Sequence, residues 1–218
     1  MGKTFVAKRL AYSIMGVKDV DRVMMVQFHQ SYSYEDFIMG FRPSADGFDI
    51  KTGAFYNFCK KAEKDGDNKY FFIIDEINRG NLSKIFGELF MLIENDKRGS
   101  KNKLQLLYRD EMFYVPENVY ILATMNDIDR SVESMDFAMR RRFTWQEVTP
   151  ADTQEMLDSL SCADKAKDVM NRLNQVIADT DGLGAAYMIG PSYFLKLKDN
   201  GDDFDKLWTM NIEPLLKE

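Results

Sequence analysis

Lys69-Tyr70-Phe71-Phe72-Ile73-Ile74-Asp75-Glu76 is an almost unbroken apolar run that ends in two carboxylates. A run that is hydrophobic at every position, with no alternation, is the pattern of a central parallel strand covered on both faces. Carboxylates at its C-terminal end stand where open α/β sheets bind their ligands. The pair suits nucleotide hydrolysis, because Asp75 can hold the water shell of a Mg²⁺ ion while Glu76 polarises an attacking water. A strand ending in a plain polar turn is the blander account. What favours the sharper one lies far upstream.

There Gly2-Lys3-Thr4 precedes a stretch with apolar residues at 6, 10 and 14 and alanines at 7 and 11, which predicts one face of an amphipathic helix. Gly-Lys-Thr thus sits at a helix N-terminus, where free N–H groups and the helix dipole favour a phosphate. In a phosphate-binding loop the lysine reaches the β- and γ-phosphates and the hydroxyl holds Mg²⁺. A third strand, Val119–Met125, ends in Asn126, a neutral amide that can bond a γ-phosphate or orient water without adding charge. Asn is equally at home in a turn. Arg140-Arg141-Arg142 closes a short helix expected to begin near Ser134. Basic residues in a last turn complement the dipole. An arginine supplied to a neighbouring subunit's site would instead be worth about 10³–10⁵ in rate.

Composition narrows the classes. The chain has 218 residues, 45% hydrophobic and 13% aromatic, enough apolar anchors for a folded core rather than a solvated tail. Its formal charge of −6 recruits neither nucleic acid nor anionic lipid globally. Cys59 and Cys162 read as reduced thiols, which points to a cytoplasmic protein. No apolar run approaches a membrane span, and no secretory signal opens the chain. His29 is the one histidine, which argues against zinc chemistry and, as a lone ring after a strand, reads as structural.

Lysine loop, Asp-Glu strand, asparagine strand and arginine cluster, in this order, resemble an AAA+ nucleotide hydrolase, and the finer blocks resemble its McrB branch. These blocks are Val26–Phe37 with Gly40-Phe41-Arg42-Pro43, the extended Asp75-Glu76-Ile77-Asn78-Arg79-Gly80-Asn81, and Met125-Asn126-Asp127-Ile128-Asp129-Arg130-Ser131. Arg140-Arg141-Arg142-Phe143 and Ile189-Gly190-Pro191-Ser192-Tyr193-Phe194 complete the set. The resemblance implies an α/β, P-loop NTPase (AAA+) sheet flanked by helices over residues 1–149 and an all-α lid over 150–218, with the first strand missing. It implies a hydrolase of GTP or ATP with Mg²⁺ as cofactor. Gly2, Lys3, Thr4, Asp75, Asp129 and Arg130 would bind nucleotide, Thr4 and Asp75 the metal. Glu76, Asn126 and one or more of Arg140, Arg141 and Arg142 would be catalytic, and Arg79 and Arg130 could bridge subunits. The implied partners are further copies in a hexameric ring, a McrC-like nuclease, and modified DNA held by a module not in this chain.

Three departures stand out. Only Gly2-Lys3-Thr4 of the family loop Gly-x-x-Gly-x-Gly-Lys-Thr is here, Asp127 replaces a threonine, and Pro191 stands where histidine is common. The loop would supply several N–H donors, each charge-assisted bond worth about 1.5–3 kcal/mol, so the chain as written is expected to bind nucleotide poorly. A MoxR-like chaperone is the alternative within the same superfamily, and a nucleotide-free interaction domain the alternative outside it. The Met-Asn-x-x-Asp-Arg-Ser signature argues against the former.

The remaining pattern predicts a strand at Val23–Phe28, a helical turn at Tyr34–Met39, then a Gly/Pro/Asp-rich loop to Gly53. A helix follows over Ala54–Lys64, and an Asn81-capped helix runs through Glu94. Leu104–Tyr108 and Met112–Val115 predict a hairpin, and Phe143–Val148 a last strand. Lid helices are expected near Thr153–Leu160, Lys165–Thr180, Ser192–Leu197 and Phe204–Leu216. Tyr32 and Tyr34 read as packing beneath the lid, and the 14 methionines as core filling.

Overall fold

The computed structural model describes residues 2–126 and 137–217. Asp127, Asp129, Arg130 and the expected helix start near Ser134 lie outside the described residues. The chain divides into two compact units, Thr4–Thr144 and Met1–Lys3 with Trp145–Glu218.

The larger unit runs through α1 (Lys3–Met15), β1 (Val23–Gln27), α2 (Tyr34–Phe37), β2 (Met39–Ser44), β3 (Gly47–Thr52) and α3 (Ala54–Glu63). It continues through β4 (Tyr70–Asp75), α4 (Leu82–Phe86), β5 (Leu104–Leu106), β6 (Arg109–Phe113), β7 (Val119–Ala123) and α5 (Phe137–Arg140). Strands β1, β4 and β7 form a parallel sheet in the order β1-β4-β7, so the Asp-Glu strand is central, as its unbroken apolar run predicts. Tyr70 through Ile74 are all buried. The parallel register pairs Gln27 with Asp75 and Ile74 with Ala123. All three strands therefore end at one edge, where the site residues collect.

One face of the sheet is sealed by aromatic rings. Phe37, on α2, stacks on Phe55 with centroids 4.7 Å apart and meets Phe86 at 4.9 Å and Phe72 at 5.7 Å. Phe28, just past β1, joins this cluster and stacks on Tyr32 at 4.8 Å. Tyr32 thus belongs to the core of the α/β unit. Tyr34 also turns inward, its hydroxyl donating to Glu88 at 2.5 Å. His29 stays exposed at the edge of the Tyr32 ring.

Three expectations need correction. The segment expected as a loop up to Gly53 is an antiparallel hairpin, β2–β3, registered from Met39↔Thr52 to Ser44↔Gly47. Phe41, Pro43, Phe48 and Ile50 share one face, and Ala45-Asp46 forms the two-residue turn, with Gly47 at φ 130 opening β3. Pro43 made the segment read as a breaker, yet in a two-stranded ribbon every strand is an edge and tolerates proline. Next, the helix capped by Asn81, whose side chain accepts from Lys84 N at 3.0 Å, is not continuous to Glu94. It ends at Phe86, and Gly87, at φ 51, starts a tighter 3₁₀ stretch over Gly87–Ile93. Last, Phe143–Val148 forms no strand. Strand β7 pairs with β4 alone among the described residues, and the run is split between the two units at Thr144 and Trp145.

The smaller unit is helical. A 3₁₀ stretch over Ala151–Ser159 leads into α6 (Ala163–Asp179), α7 (Pro191–Phe194), α8 (Leu197–Asn200) and α9 (Phe204–Leu207). A π-helical turn, Trp208–Ile212, then joins α9 to α10 (Glu213–Leu216). Leu157, Met170, Ile177, Phe194 and Leu207 make its core. Among its described residues Thr153 and Asn174 are buried and polar, and Asn174 is the more enclosed. Its amide donates to Ile189 O at 2.9 Å and accepts from Ile189 N at 2.7 Å, satisfying the backbone just before the Gly190-Pro191 helix start. Among the described residues no helix is long and apolar enough to cross a membrane.

The two thiols differ sharply in access. Cys59 is 1% exposed on α3 and burial pushes its thiol well above the ordinary value. Cys162 is half-buried, raised by desolvation and by its hydrogen bond to Asp202, and within reach of reagents. Titration of the native protein with a small disulfide reagent is expected to consume Cys162 alone, Cys59 reacting only as the chain unfolds. Two equivalents consumed at one rate would contradict this burial.

Candidate functional site

The site is built at the C-terminal ends of β4, β7 and β1, closed by the first turn of α1. Asp75 is the last residue of β4, half-buried, and its Oδ1 accepts from the hydroxyl of Thr4 at 2.9 Å. The same Oδ1 accepts from the hydroxyl of Thr124, which follows β7 directly. Thr124 Oγ1 in turn accepts from Glu76 N at 3.3 Å, and Thr124 O accepts from Ile77 N at 2.9 Å. This one threonine staples the turn after β4 to the end of β7.

Glu76 leaves the strand in a left-handed conformation, φ 52 and ψ 49, an unusual state for a residue with a side chain. That turn swings its carboxylate out of the sheet. There it meets Arg79 Nε at 2.7 Å and the Gln27 amide, from the end of β1, at 3.2 Å. The Glu76 side chain is 19% exposed and that of Arg79 45%, so this ion pair is screened and worth little to stability. Both partners bond the same carboxylate oxygen, Glu76 Oε2.

Asn126 stands two residues beyond Thr124, exposed, and its backbone carbonyl accepts from the Asn78 amide at 3.1 Å. The strand ends that carry Asp75 and Glu76 and that lead to Asn126 thus lie side by side, and the Thr4 hydroxyl bonds Asp75. Gly2, at φ 67, and Lys3, first residue of α1, precede Thr4 directly in the chain but group with the helical unit. The arginines divide. Arg140 and Arg141 are exposed, whereas the Arg142 side chain is 10% exposed and paired with Glu94 at 2.8 Å. The Arg142 side chain is thus turned toward its own chain, unlike the two arginines before it.

Two residues escaped the sequence reading: Thr124 and Gln27. Each ends or follows a strand adjacent to the Asp-Glu strand, and that position is the only signal either one carried.

The donor chemistry fits a small hard cation. Thr4 and Asp75 offer oxygen ligands, and among the described residues no three His, Cys, Asp or Glu side chains gather into a metal cage. A cation held here would take most of its ligands from water and phosphate, the habit of Mg²⁺ with nucleotides.

Comparison with known proteins agrees with this geometry. Residues 1–143 match the family described as AAA domain (dynein-related subfamily), and residues 165–218 match McrB, alpha-helical lid domain. The Type IV methyl-directed restriction enzyme EcoKMcrB subunit of Escherichia coli (strain K12) is 48% identical over 235 residues, covering 100% of this chain and 51% of that protein. The Type II restriction enzyme BsuMI component YdiS of Bacillus subtilis (strain 168) is 30% identical over 141 residues, covering 59% of this chain and 41% of its own length. The chain thus spans about half the length, or less, of the curated relatives it matches. With an AAA domain of the dynein-related subfamily followed by a McrB-type lid, the chain belongs to the McrB family of AAA proteins.

Proposed function

We propose that this chain is the nucleotide-hydrolysing motor portion of a restriction-system subunit that acts on modified DNA, using GTP or ATP. The observation that carries the reading is the Thr4–Asp75 hydrogen bond with Glu76 next in sequence and Asn126 at the neighbouring strand end. Lys3 would pair with the β- and γ-phosphates, with Gly2 leaving room for their approach. Thr4 and Asp75 would hold Mg²⁺, which spreads charge from the phosphate oxygens when bound. Asn126 would donate to the γ-phosphate, and Asp129 and Arg130 would complete the nucleotide contacts. Glu76 would take the proton as water oxygen bonds to the γ-phosphorus and the bond to the bridging oxygen breaks. Gln27 and Arg79, both on Oε2, would orient that carboxylate.

Arg140 and Arg141, both exposed, would serve the site of a neighbouring copy in a hexameric ring. A McrC-like nuclease and modified DNA, bound outside these residues, would be the partners, and the cytoplasm the place of action. The test is turnover. Extended upstream with the family's strand and glycine-rich loop, the chain is expected to hydrolyse GTP or ATP in a Mg²⁺-dependent way. Measuring both nucleotides, with and without methylated DNA, separates the candidates. A folded, extended chain that hydrolyses neither would end the proposal.

A further inference from the structure

We infer that Arg142, held by Glu94 and Phe90, is a positioning residue that fixes the turn from which Arg140 and Arg141 project. The inference rests on the reading above, in which those two arginines act on a neighbouring copy's triphosphate.

Three consecutive arginines have one chemistry but not one environment. The guanidinium carbon of Arg142 lies 4.3 Å from the centroid of the Phe90 ring. Its Nη2 pairs with Glu94 Oε1 at 2.8 Å, and its Nη1 donates to Ala138 O at 2.5 Å. Ala138 O belongs to α5, so the Arg142 side chain is bonded to the helix that carries its own neighbours. Met139, 0% exposed, and Phe143 pack into the aromatic core from the same segment. Positions 139, 142 and 143 thus face inward at helical spacing, leaving 140 and 141 on the outer side.

The described part of α5, Phe137–Arg140, is fastened to the packed unit through Met139, Arg142 and Phe143. Its shape is set by what it is fastened to. Met139 and Phe143 fix which face turns inward, but apolar contacts permit sliding. The guanidinium fork, bonded to Glu94 on one side and Ala138 on the other, is the directional contact. Glu94 itself closes the 3₁₀ stretch that follows Gly87, so the fastening point is part of the packed unit.

Glu94→Gln keeps the size of the side chain and removes the charge. In the chain as it stands, hydrogen exchange is expected to accelerate at the amides of Arg141, Arg142 and Phe143, which donate to Phe137, Met139 and Arg140 carbonyls. Amides of β4 and β7 should keep their protection. In the loop-extended chain, kcat for nucleotide hydrolysis is expected to fall by about 10- to 100-fold, with KM unchanged, the size of effect a misplaced group produces. Arg142→Lys retains charge but loses the fork and should show the same split, which guards against a folding defect peculiar to Glu94→Gln. Mixing Glu94→Gln subunits with Glu76→Gln subunits should restore turnover, since each supplies what the other lacks. Unchanged exchange at 141–143, or an unchanged kcat in Glu94→Gln while Arg140→Ala or Arg141→Ala lowers it, would overturn the inference alone. Full turnover in both Arg140→Ala and Arg141→Ala would overturn it together with the role proposed for those arginines.

Discussion

Replacing Glu76 with glutamine is expected to lower nucleotide turnover by about 10²–10⁴-fold, the contribution of a positioned general base. The amide has the same shape and can still accept from Arg79 and Gln27, so the left-handed turn at φ 52 and its Thr124 contacts should persist. What it cannot do is accept a proton at neutral pH. Nucleotide affinity should hold or rise, because one negative charge near the triphosphate is gone while Thr4 and Asp75 remain in place. Single-turnover hydrolysis and nucleotide binding, both measured on the loop-extended chain, separate the two quantities. A variant that turns over within a factor of a few of the parent would remove Glu76 from the chemistry. Stability is a poor readout here. The Arg79 partner is 45% exposed, and such pairs contribute about 0–1 kcal/mol.

The second large effect is structural and lies at Phe37. Its ring stacks on Phe55 at 4.7 Å with an interplanar angle of 3°, and touches Phe28, Tyr32, Phe72 and Phe86 edge-on. Phe37 is 0% exposed. Truncation to alanine leaves a cavity that five neighbouring aromatic rings cannot close, at a cost of about 3–5 kcal/mol. At roughly 2–4 °C per kcal/mol for a chain of this size, the melting temperature should drop by on the order of 10 °C. Phe48, on the β2–β3 hairpin, is 71% exposed and provides the contrast, with Phe48→Ala expected within about 0.5 kcal/mol of the parent. Circular dichroism suits the measurement, since both tryptophans, Trp145 and Trp208, lie outside the α/β unit. Equal melting temperatures for the two variants would mean the aromatic cluster is not the core of that unit.

How far the sequence could be read depended on whether a signal was local. The apolar run into Asp75-Glu76, the helix after Gly2-Lys3-Thr4 and the Asn81 cap each announce themselves within a few residues, and the structure agrees. The β2–β3 hairpin was equally local but was masked by Pro43, a breaker in most sheets and harmless in a ribbon. The break at Gly87 was hidden differently. The apolar spacing through Ile93 fits a helix, and only a glycine able to take φ 51 against the Tyr34 ring converts it to a tighter turn.

The Asp-Glu strand, the order of chemistry-bearing residues and the membership of the family were decided by the amino-acid sequence alone, because each rests on neighbours along the chain. Which hydroxyls share Asp75 Oδ1, which groups occupy the Glu76 carboxylate, and which of three identical arginines turns inward were decided only by the tertiary structure. The reason is distance along the polymer: Thr4, Gln27, Asp75 and Thr124 meet because parallel strands end at one edge. Nothing in a residue's immediate neighbours encodes such a meeting.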